Sequence, residues 1–274
     1  MDSMLICPVC KGKMTKNDRD YVCKKGHSFD RAKTGYVNLL QSQKSSAKRH
    51  GDDKLMIKRR TDFLEKGYYD GLRDAVVNFA VKYAPNPARI VDVGCGECYY
   101  TQAVYENLRR RGIETRVCGI DISKDAINAA AKRNADFELC VAGIFNIPVA
   151  DSGCNVIINM FAPHSPSEFA RILSKDGVYI RAIPLRRHLM GLKAAIYDEP
   201  YENKPSEIEL DGFEIIDRAE IRRTIRIDNR TDMQNLFMMT PYYYKTGKKE
   251  QERFARLGSL TTETEFGVIV YKKK

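Results

Sequence analysis

Apolar residues between positions 54 and 84 recur at helical spacing: Leu55, Met56, Phe63 and Leu64, then Leu72, Ala75, Val76, Phe79 and Ala80. The Gly67-Tyr68-Tyr69-Asp70-Gly71 break predicts two helices around a turn, and Pro85 and Pro87 end the second. From residue 88 the pattern changes. Ile90, Val91 and Val93 make a short buried strand, Gly94-Cys95-Gly96 a tight turn, and a helix follows with Ala103, Val104 and Leu108 facing inward. "TRVCGIDIS" (115–123) is a second buried strand that ends in Asp121. Further strands are predicted in 136–148, 154–163 and 178–184, with helices over 167–177 and 186–197. Two late strands, 214–227 and 265–273, close the pattern as a hairpin. Alternating strands and helices predict a doubly wound α/β sheet that binds its ligand at the strand C-termini.

The first strand–turn–helix–strand unit narrows the ligand. Glycines let a backbone approach it closely, and an acid at the end of the second strand accepts the two hydroxyls of a ribose. A dinucleotide needs G-x-G-x-x-G and a helix N-terminus free for a pyrophosphate. Here Glu97, Cys98 and Tyr99 follow Gly96, and Glu97 would repel a pyrophosphate. S-adenosylmethionine (SAM) carries a sulfonium and an ammonium and no phosphate, so Asp92 and Glu97 suit it. Cys95 and Cys98 have no nearby Cys/His pair and read as small loop residues rather than metal ligands.

The N-terminus carries a second chemistry. Cys7, Cys10, Cys23 and His27 are spaced C-x2-C-x12-C-x3-H. Two close pairs of soft ligands suit a structural Zn2+ with no open position. Disulfides are the alternative, but three cysteines cannot all pair and no secretory signal precedes them. Charge follows the same division. The net charge is +10, and residues 1–60 hold 15 Lys+Arg against 6 Asp. A basic, zinc-pinned surface is a candidate footprint for a phosphate backbone. Tyr21, Phe29 and Tyr36 are interleaved with that charge, either to stack on bases or to form the core of the zinc knuckle. The polar stretch 39–53 reads as a linker; its Lys44, Lys48 and Arg49 either order on a polyanion or stay solvated. No apolar run is long enough to span a membrane and no targeting segment is visible, which predicts a cytoplasmic protein.

Taken together, these residues resemble the bacterial 23S rRNA (guanine-N1)-methyltransferases over nearly the whole chain. The resemblance lies in the zinc pattern, in "GHSFDRAKTGYVNLL" (26–40), "FLEKGYYDGLRDAV" (63–76), "DVGCGECYYT" (92–101) and "RHLMGLKAAIY" (187–197). It implies a Rossmann-like SAM-dependent methyltransferase domain over 54–274, a zinc-binding RNA-recognition module over 1–38 and the linker 39–53 between them. It also implies cofactor contacts at Tyr69, Tyr100, Thr101 and His188, beside the Asp92, Gly94, Gly96 and Asp121 of the turn and Asn146 in the loop after the third strand. Cys98 departs from the family, which usually has glycine there. The implied partners are 23S rRNA and a second copy of the chain, the zinc modules of a homodimer helping to form an RNA-sized cleft. The loop Met160-Phe161-Ala162-Pro163 sits where related enzymes receive the target base. Phe161 is placed either to stack on that base or to pack in the core. His164 is placed either to exchange a proton or to serve as an ordinary loop histidine. Two other readings are a small-molecule methyltransferase with a purely structural zinc knuckle, and a non-catalytic RNA-binding or resistance protein on the same fold. The N-terminal charge argues against the former, and the intact "DVGCGE" with Asp121 against the latter.

Overall fold

The computed structural model describes residues 2–41 and 51–274. The basic Lys44, Lys48 and Arg49 lie outside the described residues. The N-terminal segment forms β1 (Asp2–Ile6), β2 (Lys13–Lys16), β3 (Asp20–Cys23) and β4 (Ser28–Asp30), a four-stranded sheet in sequence order, followed by β5 (Val37–Asn38). Next come α1 (Lys54–Leu64), α2 (Asp70–Tyr83), β6 (Ala88–Val93), α3 (Tyr99–Arg110), β7 (Thr115–Asp121), α4 (Lys124–Arg133), β8 (Glu138–Val141) and β9 (Cys154–Met160). The chain then runs through α5 (Pro166–Ile172), β10 (Leu173–Pro184), α6 (Met190–Ile196), β11 (Phe213–Ile227), α7 (Arg230–Met238), α8 (Pro241–Lys245), α9 (Lys248–Ala255) and β12 (Leu260–Lys273).

The main sheet has the order β11-β12-β10-β9-β6-β7-β8-β5. All its pairs are parallel except those of β12, which runs antiparallel to β10 and β11. The predicted doubly wound α/β sheet and its closing hairpin are present. Strand order reverses at β6, which lies between β7 and β9, and a ligand crevice opens at such a switch point. Side-chain caps start three of the helices. Asp53, Ser123 and Asn229 accept from the backbone N–H groups of Met56, Ala126 and Asp232.

Two corrections concern local reading. The helix predicted over 167–177 ends at Ile172, and Leu173 already belongs to β10. Leu173 is fully buried and pairs with Cys154 of β9, and that tertiary contact overrides the helical propensity of the segment. The stacking role weighed for Tyr21 and Tyr36 also fails. Both rings are buried, Tyr21 completely, and present no face to solvent.

One face of the main sheet packs against α1, α2, α3, α4, α6 and α7, in a core that includes Phe63, Leu72, Val104, Ile127, Leu192 and Leu236. The other face is covered in part by the zinc-site segment itself. Leu5, Cys7, Met14 and Tyr21 share one cluster with Val91, Val93, Cys118, Ile120 and Cys140 of the sheet. Further ties reinforce this packing. β5 pairs with β8, Glu138 accepts from Ser3 Oγ at 2.5 Å, and Ile6 N donates to the Pro148 carbonyl at 2.9 Å. Among the described residues no helix is long and apolar enough to cross a membrane.

Candidate active site and zinc centre

The Cys7–Cys10 turn and the Cys23–His27 turn bring four ligand atoms within 4.8 Å of one another. Cys10 Sγ lies 3.6 Å from Cys23 Sγ, and His27 Nδ1 lies 3.5 Å from Cys7 Sγ and 3.3 Å from Cys23 Sγ. A tetrahedral ion with Zn–S bonds near 2.3 Å and Zn–N bonds near 2.0 Å gives ligand separations of about 3.5–3.8 Å. The residues therefore fit zinc, and at distances too long for any disulfide. Burial raises the Cys23 thiol pKa, but hydrogen bonds from the backbone N–H groups of His27 and Lys25 and from the Cys10 and His27 side chains together outweigh it and bring the value down to about 6. That favours the thiolate a metal needs.

At the switch point lies a cavity of about 730 Å³. Part of its lining is the turn after β6. Gly94 has φ +80° and donates its N–H to the Ile120 carbonyl. A Cβ there would stand 2.3 Å from the Ala162 Cβ, so only glycine lets the loop after β9 close over the turn. Asp121, at the end of β7, accepts from Gly96 N at 2.9 Å and from Ser123 N at 2.8 Å, which ties the turn to the strand. Burial raises its pKa and the two backbone bonds oppose the rise. Arg60 of α1 pairs with Asp52 at 2.6 Å and stands near Glu97 and Asp121. Glu97 is only 3% exposed, and its Oε1 has no partner among the described residues. An acceptor left open in this way suits a ligand that brings donors, as the ammonium and ribose hydroxyls of SAM do. It does not suit a pyrophosphate.

Much of the remaining lining is aromatic: Tyr69, Tyr100, Phe161, His188, Tyr242 and Phe266. Tyr69 stands edge-on to Phe266 at 4.8 Å, and Phe161 lies 5.6 Å from Phe266. Phe161 is 44% exposed and sits at φ +59°, a costly conformation for a bulky side chain. His188 Nδ1 accepts from Glu265 N at 3.2 Å, so its proton is on Nε2. Burial, with the Lys193 cation, brings its pKa down to about 3, and it stays neutral.

Of the site residues expected from sequence, Tyr69, Gly94, Gly96, Tyr100, Asp121, Phe161 and His188 meet in this cavity. Asp92 and Thr101 lie behind it, hydrogen-bonded to each other and buried under the glycine turn. They support the turn rather than line the cavity. Asn146 accepts from Lys11 Nζ and His164 stands nearer Arg181 and Glu207; neither lines the cavity. The sequence reading did not find Arg60, Asn203, Tyr242 or Phe266. Only the aromatic run "PYYYK" offered a local signal for one of them.

Comparison with known proteins agrees with this geometry. The family described as RlmA, N-terminal, a zinc ribbon, matches residues 5–48, and a methyltransferase domain family matches residues 86–224. A 23S rRNA (guanine(748)-N(1))-methyltransferase of Streptomyces fradiae is 29% identical over 82% of this chain and 80% of its own length. A provisionally named 23S rRNA (guanine-N(1)-)-methyltransferase of Micromonospora griseorubida is 33% identical over 69% of this chain and 68% of its own. The fold is shared with a solved structure from Anaeromyxobacter dehalogenans, provisionally named a type II methyltransferase. That likeness has a TM-score of 0.51 and 15% identity, covering 72% of this chain and 95% of the other. A zinc-ligand cluster on an N-terminal ribbon, a glycine turn at the switch point and these relatives together place the chain in the RlmA-type family of zinc-ribbon, SAM-dependent methyltransferases.

Proposed function

We propose that this chain transfers a methyl group from SAM to N1 of a guanine in a hairpin loop of 23S rRNA. The observation that carries the reading is one cavity lined both by the glycine turn with its open acceptor and by aromatic rings. In this reading residues 1–38 recognise RNA, 39–53 connect, and 54–274 carry out the transfer. The reading places the enzyme in the cytoplasm as a homodimer, and sedimentation of the purified protein tests the dimer.

When bound, SAM supplies an activated methyl group, so alignment and exclusion of water do most of the work. Gly94 and Gly96 let the cofactor approach the backbone, and Asp121, with lone pairs left after its two backbone bonds, accepts the ribose hydroxyls. Glu97 would hold the ammonium, and Tyr69, Tyr100 and His188 would line the cofactor's remaining surface. The half-exposed ring of Phe161 offers a face to a base flipped out of its loop. The relatives named for 23S rRNA guanine N1 support the substrate assignment. Purified protein and labelled SAM, offered unmodified 23S hairpin RNA beside a small-metabolite pool, test it. The expected product is N1-methylguanosine in the RNA. Label in a metabolite and none in RNA would overturn the reading.

A further inference from the structure

The aromatic lining of the cavity rests on a buried lysine that the mechanism above leaves unused. Lys193 of α6 is fully buried, and its nearest opposing charge, Glu202, acts on it without a direct ion pair among the described residues. A lysine is rarely buried without a charged partner. Its Nζ donates to the Tyr201 carbonyl at 2.9 Å and to Asn203 Oδ1 at 2.7 Å, and it lies 5.3 Å from the centre of the Tyr242 ring. Asn203 Nδ2 donates to the carbonyls of Leu185 at 2.9 Å and His188 at 3.1 Å. An ammonium only donates and a carbonyl only accepts, so these partners fix which end of the Asn203 amide is oxygen. The Tyr242 hydroxyl lies 3.2 Å from that same oxygen. An amide oxygen only accepts, so Tyr242 commits its one proton to Asn203. Tyr242 lines the cavity, and its oxygen has only lone pairs left to offer a ligand.

We propose that Tyr242 is the specificity-determining acceptor for the exocyclic amino group of the target guanine, and that Lys193 and Asn203 are positioning residues that fix its polarity. The inference rests on the rRNA guanine reading and deepens it. Beside N1, guanine carries an amino donor on C2 and an acceptor at O6. N1 gives up its proton to solvent as it gains the methyl, so no fixed contact to N1 can persist through the transfer. The amino group is the donor that a fixed acceptor can hold throughout the transfer. Adenine has no donor on C2, and hypoxanthine keeps N1–H and O6 but lacks the amino group.

The test compares methyl transfer to two hairpin RNAs that differ only in guanosine or inosine at the target position. One neutral hydrogen bond predicts that the wild type favours guanosine by roughly threefold to tenfold in kcat/KM. Tyr242→Phe removes one oxygen and leaves the ring in place. It is expected to lower the rate on guanosine RNA more than the rate on inosine RNA, and so to bring the ratio near one. Lys193→Met is expected to lower the same ratio without changing SAM affinity, a pattern that a purely structural role would not give. If Lys193→Met does not fold, Tyr242→Phe decides alone. A Tyr242→Phe ratio equal to wild type would overturn the inference and leave the guanine reading standing. Failure of the wild type to methylate the guanosine hairpin would overturn the reading and the inference with it.

Discussion

Asp121 does two things through one carboxylate. It holds the Gly96 and Ser123 N–H groups in the folded chain, and in the proposed reading it also accepts the ribose. A charge-assisted hydrogen bond contributes on the order of 1.5–3 kcal/mol. Asp121→Ala is therefore expected to weaken SAM binding by roughly tenfold to a hundredfold in calorimetry, and unchanged affinity would remove it from the cofactor site. Asp92 lies deeper. Burial raises its pKa to about 7, against the lowering effect of its bond with Thr101. Its folded pKa lies above the unfolded value, so the native state holds the extra proton and stability falls as pH rises between about 4 and 7. Asp92→Asn removes that loss. Its stability relative to wild type should improve from pH 5 to pH 7, by up to about 1.4 kcal/mol per pH unit, in denaturant titrations at the two pH values. Cys98 sits at φ +62° at the start of α3, a conformation that costs glycine least.

The elements that could be read from sequence were those whose signal is local. The β6 turn announced itself through Gly94 and Gly96, and Asp121 through its place at the end of an apolar run. α7 and α9 passed unnoticed because, at nine and eight residues, each is too short for its apolar spacing to repeat. The packing of the zinc module was also invisible, because it depends on long-range partners. Leu5 and Tyr21 show no sign in sequence that they complete the core over Val91 and Ile120. That shared core leads to a test. Cys10→Ser should lose zinc by elemental analysis and lower the melting point of the whole chain in one transition. A main transition at the wild-type temperature, with only a small separate change, would mean that the zinc module does not support the sheet.

For the whole molecule, charge and cavity divide the labour. The basic surplus lies in the first sixty residues, and the cavity lies at the sheet's switch point. Lys24 and Lys25 are exposed on the zinc module. Replacing Lys24, Lys25, Lys48 and Arg49 by Ala should flatten the salt dependence of hairpin binding, by up to about 0.9 log unit per lost duplex contact and about 0.7 per single-strand contact. An unchanged slope would leave this surface as solvated charge only. The polarity of the Tyr242 hydroxyl was not legible in the sequence: it depends on which atoms donate to Asn203, and spacing along the chain carries no record of that. The decisive measurement is mass mapping of the 23S rRNA from cells with the gene intact, deleted and restored. The reading predicts one N1-methylguanosine in a hairpin loop that disappears on deletion and returns on restoration. An identical methylation map in all three would contradict it.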